Sequence, residues 1–220
     1  MAKKTGEGVV AVCRLDDSNS NYFHDGASAD LTGAQGDVFM WLPKFWYHAE
    51  ETSLDIWKIG FSNHQKEGWK EWDGKDLIGV YKVYSDGTKL YSRSNISSAN
   101  YVSLSDFKTR ARNRGDGYSL VKFKHHSMMA FLFYAMYGNT NSQAICGAGT
   151  NKQDKTTGQT DLLGMVDTVA GGNGGPGPIN FWGLENWWGN LSEWVDNVSI
   201  NNNLWTITED DGSIRELQAG

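Results

Sequence analysis

The chain of 220 residues is short of proline, with 3, and of cysteine, with 2. Cys13 and Cys146 stand far apart without a Cys-x-x-Cys pairing. They suggest neither a disulfide framework nor a thiolate metal cluster, and both read as buried small hydrophobes. No segment approaches the roughly 20 apolar residues that cross a bilayer. The N-terminal Met1-Ala-Lys-Lys-Thr-Gly-Glu-Gly8 also lacks the apolar stretch of a secretory signal, so the expectation is a chain made and folded in a cytosol, without membrane insertion. An excess of positive charge is missing too: 20 Lys and Arg stand against 26 Asp and Glu, for a formal net charge of -6. Phosphate contacts need clustered cations, which argues against a nucleic-acid partner, and the densest basic stretch, Lys108 to Arg114, reads as one solvated helix face.

What the chain does have is 26 Gly and 10 Trp. That composition suits a loop-rich fold in which aromatic side chains pin long connections onto a small core. Residues 1–99 read as β-rich. Gly8 to Leu15 is an apolar strand, and Asp37 to His48 is β-prone with Pro43 as an interruption. The Asp-Gly pair in Ser85-Asp-Gly-Thr88 lies between β-prone runs and signals a hairpin. From residue 100 the pattern changes. Ser103 to Gly115 predicts a helix capped by Ser103 or Ser105 and stopped at Gly115. His125 to Gly138 is apolar nearly all round and predicts a buried core helix. Asn139 to Pro178 is a polar, Gly-rich connection ending in the glycine run 171–178, and a connection of that length carries a use or is held down by its own packing.

Phe181 to Asp196 packs four Trp and two Gly into sixteen positions, a pattern that neither helical period nor strand alternation explains. Tight glycine turns covered by indole rings do explain it, with Asn190 bonding local backbone, Trp187, Trp188 and Trp194 in the core, and Leu191 to Val195 re-entering a strand. Gly183-Leu-Glu-Asn-Trp-Trp-Gly-Asn-Leu-Ser-Glu-Trp-Val195 resembles the Gly-Leu, Gly-Asn, Glu-Trp signature of formylglycine-generating-enzyme-like domains, a branch of the C-type lectin fold. The resemblance covers roughly residues 100–200. Within that superfamily, the double Trp and the run from Met128 to Gln143 look most like phage and prophage tail or variable proteins of gut bacteria. The resemblance implies an α+β, C-type-lectin-like fold with two helices, short antiparallel strands and long Gly/Trp-rich loops, its core at 100–220 and residues 1–99 leading into it. Gly183, Gly189, Asn190, Glu193 and Trp194 then serve as structural signature residues.

The resemblance further implies a non-enzymatic receptor-binding or display protein, made in a bacterial cytoplasm and carried on a virion tail or the cell exterior, with a purely structural tail component as the alternative and a formylglycine-generating-like oxidase as a third, weaker one. Its partners would be a host cell-surface protein or glycan and other tail proteins, and it would be presented as a homo-oligomer, a trimer. Related domains continue past the signature into an Arg-Gly-Gly-Ser-Trp-like segment that carries most ligand contacts of the retroelement-diversified members. This chain runs instead to Ser213-Ile-Arg-Glu-Leu-Gln-Ala-Gly220, as a truncated domain would. The formylglycine generators bind copper through two nearby cysteines close to the C-terminus, and Cys13 and Cys146 match neither place nor spacing. His125 and His126 are adjacent and point about 100° apart on a helix, which is not an i, i+4 ligand pair; one should pack and the other face water. No cofactor is expected. Asp16, Asp17, Glu209, Asp210 and Asp211 offer oxygen ligands to a structural calcium ion, but without the ordered spacing of a dedicated loop. Asn201, Asn203 and Trp205, in an Asn-rich stretch that reads almost as well as a turn between strands, are the candidate ligand-binding patch. Trp69, Trp72 and Trp205 are read as equally core or surface.

Overall fold

The computed structural model describes residues 2–4, 10–54, 56–150, 156–165 and 177–218. β1 (Ala2–Lys4) pairs antiparallel with β2 (Val10–Val12), which lies within the expected first strand; Gly8 and Val9 are outside the described residues. β3 (Phe39–Trp41) ends before Pro43, where a missing N–H interrupts the ladder, and β4 (Phe45–Ser53) starts beyond it. β4 is the centre of a three-stranded sheet, flanked by β5 (Ile56–Ser62) and β6 (Lys70–Trp72). β7 (Leu77–Gly79) returns to pair with β3. β8 (Tyr84–Ser85) and β9 (Leu90–Tyr91) form the hairpin expected at Asp86-Gly87, with Gly87 at φ 94° and Asp86 Oδ1 accepting the backbone N–H of Thr88 and Lys89.

α1 (Leu104–Arg112) is capped by Ser103, whose hydroxyl accepts the Asp106 N–H. Of its basic residues only Arg112 faces water freely. Lys108 reaches Asp196, Arg110 reaches Ser85 Oγ, and Arg114 just beyond reaches Asp37, because acceptors lie where the helix meets its neighbours. α2 (Phe123–Tyr137) ends at Gly138 in the left-handed conformation, and Met128, Met129, Leu132 and Phe133 are buried, as an all-round apolar helix requires. A third helix, α3 (Ser142–Cys146), was not expected. Asn141 caps it by accepting the Ala144 N–H, so part of the polar connection folds locally. The expected glycine run at 171–178 lies outside the described residues except for its last two.

β10 (Asn180–Phe181) and β11 (Leu184–Glu185) form a hairpin whose two turn residues, Trp182 and Gly183, both have positive φ. Leu191 to Val195 is not a strand. The last sheet instead has the order β12 (Val198–Asn201), β13 (Leu204–Thr208), β14 (Ile214–Gln218). The architecture is thus α+β, with three helices and small antiparallel sheets among the described residues. One main core joins Met40, Leu42, Trp72 and Ile78 to Met128, Met129, Phe133, Phe181 and Leu184, drawing on both sides of residue 100. Cys146 is buried, but Cys13 is exposed, since it follows a short strand pair outside this core. Among the described residues no helix is long and apolar enough to cross a membrane.

Candidate functional site

The signature segment is built by a crossing of backbones. Gly149 and Gly189 approach so closely that a Cβ on Gly189 would stand 2.9 Å from Gly149 Cα, and one on Gly149 2.7 Å from the Trp188 carbonyl oxygen. Only glycine fits either strand of that crossing. Trp188 seals it, donating Nε1–H to the Gly147 carbonyl and packing against Phe133 and Phe181. Asn190 supports the turn differently from the expectation. Its backbone, at φ 57°, donates to the Thr150 carbonyl at 2.7 Å, while its side-chain Oδ1 is buried without a hydrogen-bond partner.

Beyond the crossing the chain bends outward, and Trp194 is 49% exposed rather than buried. The reason is geometric: the main core is already filled by Phe181, Leu184 and α2, and Trp194 is left to hang its indole N–H on the Val102 carbonyl at 3.1 Å. There it lines a cleft of about 690 Å³. One side of the cleft is β7 with the chain after it through Tyr81 and Lys82, and another is α1 with Phe107 and Ala111. The segment 116–121 and the end of the signature close the remainder, held together by the Asp196 N–H on the Val121 carbonyl and by Lys108 on Asp196. Tyr101 also lines the cleft, 94% exposed, with φ 54°. A bulky residue in the left-handed region is strained by about 1–3 kcal/mol, a feature that collects at functional sites.

Apart from the exposed Asp116, the ionic groups of the cleft are paired. Lys82, itself buried, pairs with Glu193 at 2.6 Å. Asp37 receives the guanidiniums of Arg93 and Arg114, both stacked on Tyr91; burial raises its carboxyl above the ordinary value, against the pull of the two arginines. His125 accepts the Lys122 N–H at Nδ1, which leaves the proton on Nε2 to face Asp76 at 3.2 Å. Burial lowers the His125 pKa, so the ring is neutral near pH 7. His126 does not simply face water. It lies against Trp187, ring centroids 4.7 Å apart, with Nε2 3.9 Å from Glu193 Oε2, because the signature folds over that face of α2.

The patch expected at Asn201, Asn203 and Trp205 sits elsewhere, on the last sheet. Asn202 and Asn203 are the two left-handed residues of the β12–β13 turn, at φ 48° and 62°. Trp205 pairs with Ile200 and with Leu217, so the three apolar side chains form a row across one face. Asn201, next to Ile200, points to the opposite face, and the three expected residues do not converge. The acidic residues considered for calcium are engaged as well: Asp17 by Arg14, Asp210 by Lys122 and Lys124, Glu209 by Arg215, and Asp16 and Asp211 by turn hydrogen bonds. Among the described residues no three His, Cys, Asp or Glu side chains are grouped to hold a metal ion.

No family model, curated protein or solved structure matches the chain. Sequence reading missed the cleft because Asp37, Tyr101, Arg114 and Trp194 come from distant parts of the chain. The one local signal was Trp194, which the sequence pattern assigns to the core and which is 49% exposed.

Proposed function

We propose that the chain is a non-enzymatic receptor-binding or display domain, C-type-lectin-like in fold, carried on a phage or prophage tail, and that its ligand sits in the cleft beside Trp194. The observation that carries the binding reading is a pair of exposed aromatic side chains, Tyr101 and Trp194, lining one cleft whose ionic groups, apart from the exposed Asp116, are held in ion pairs. Aromatic faces give large contact area at low conformational cost, which favours recognition. The tail assignment draws its support from the sequence resemblance alone. Presentation in several copies, as in a trimer, would raise a weak single-site affinity through avidity. On the last sheet Trp205 stands with Ile200 and Leu217 in an exposed apolar row that suits contact with neighbouring tail proteins, and Asn201 and Asn203, which do not converge with it, are left out of the proposed ligand site.

The test is host-cell binding by the labelled protein beside its Tyr101→Ala and Trp194→Ala variants, with melting temperatures measured in parallel. Binding lost in the Tyr101 variant while the melting temperature holds supports the cleft. Undiminished binding by both variants refutes it.

A further inference from the structure

We infer that the ligand of this cleft is an uncharged saccharide, taken with one face of a sugar ring against Trp194 and Tyr101; the inference rests on the cleft reading above. Trp194 spends its only hydrogen-bond donor on the Val102 carbonyl, so what it offers a ligand is ring surface. Tyr101 precedes Val102, and that one hydrogen bond therefore ties both aromatics to the same segment. The neutral polar side chains of Asn100, Ser119 and Ser192 line the cleft beside them. A pyranose presents C–H groups on its faces and hydroxyls at its edge, which this combination of ring faces, hydroxyls and an amide complements.

Charge decides against an acidic ligand. The cations at and around the cleft are Lys75, Lys82, Arg93, Arg114 and Lys124, and the anions are Asp37, Asp73, Asp76, Asp116 and Glu193, five against five. Lys75 sits 3.2 Å from Asp73, Lys82 2.6 Å from Glu193 and Lys124 2.5 Å from Asp76, while Arg114 is held on Asp37. Arg93 shares Asp37 from outside the lining, and Asp116 is an exposed acid. A carboxylate, sulfate or phosphate entering here would break an existing pair or go without a counter-charge, and desolvating it unpaired is costly. A neutral sugar pays neither penalty.

The experiment uses the full chain and defined probes: maltohexaose, cellohexaose, mannohexaose and chitohexaose as neutral saccharides, sialyllactose and hyaluronan as acidic ones, each followed by saturation-transfer NMR and titration calorimetry. At least one neutral probe should bind, with affinity changed less than about two-fold between about 50 and about 500 mM salt, as expected when no ion pair forms. Tyr101→Ala and Trp194→Ala should each weaken it at least about ten-fold, equivalent to about 1.4 kcal/mol. Since Tyr101 is almost wholly exposed, its variant tests the site even where the Trp194 variant folds poorly. Binding of acidic probes alone, a steep fall with salt, or no neutral binder overturns the inference. Host-cell binding that survives periodate cleavage of sugar diols but not protease treatment overturns it in favour of a protein receptor, while leaving the cleft reading standing if the two variants still abolish cell binding.

Discussion

At the scale of single residues, Glu185 is the group whose ionisation is most exposed to pH. It is buried on β11, where Oε1 accepts the Gly158 N–H and Oε2 accepts the Thr160 N–H and hydroxyl, so it pins the segment 156–165 to the core. Asp161 in that segment accepts the hydroxyls of Tyr81 and Ser94. Burial, opposed by the Thr160 bond and reinforced by Asp161, raises the Glu185 pKa to about 7. The neutral acid is the form the fold prefers, so its contribution to stability is complete below the unfolded carboxyl value near 4.5 and is lost as pH rises through about 7. Between those limits the change is on the order of 3 kcal/mol. Glu185→Gln should flatten the melting-temperature profile between about pH 5 and 8 relative to the parent protein; a profile of unchanged slope would remove Glu185 as the cause. Trp194 makes the second residue-scale prediction. Half exposed, its replacement by Ala should cost about 2 kcal/mol, whereas Phe181→Ala, at 1% exposure, should cost about 3–5 kcal/mol. Chemical denaturation that ranks Trp194 above Phe181 would put the indole back in the core.

Among the elements, those set by local chemistry were legible in the sequence. Ser103 capping α1, Gly138 ending α2 and Asp86-Gly87 turning β8 into β9 each act within a few residues, and each stands where its own chemistry demands. What escaped was set by distant partners. Leu191 to Val195 has strand-like composition but finds no strand to pair with, and Trp194 is displaced to a surface because other rings fill the core first. The cleft has the same character, since it exists only where α1, β7 and the signature meet. The Asn-rich turn between β12 and β13 was legible as a turn, and its chemistry can be tested. Asn203 has φ 62°, a conformation that costs an ordinary L-residue about 1–2 kcal/mol and costs glycine nothing. Asn203→Gly should hold or raise stability by up to about 1 kcal/mol, and Asn203→Val should lower it by about 1–2 kcal/mol, both read by urea denaturation. Equal stability of the two variants would mean that the turn is not held in this form.

On the scale of the whole molecule, the question is whether residues 100–220 stand as a unit. The sequence resemblance covers roughly 100–200, and the signature lies within it. Yet the main core takes Met40, Leu42, Trp72 and Ile78 from the first 99 residues, with Phe45, Tyr47 and Phe61 packed against it. Ion pairs cross the same boundary: Lys82 with Glu193, Asp37 with Arg114, and Asp76 with Lys124. Each buried apolar side chain is worth about 1.5–3 kcal/mol, so removing four at once takes away as much as the roughly 5–15 kcal/mol that stabilises a typical domain. It also strips Arg114 and Glu193 of their partners. A fragment of residues 100–220 should therefore show a poorly dispersed amide NMR spectrum and a broad thermal transition, while the full chain melts cooperatively. A dispersed spectrum and a sharp transition in the fragment would mean that α2 and the signature bury each other without the first 99 residues, and that the shared core contributes far less than its burial implies.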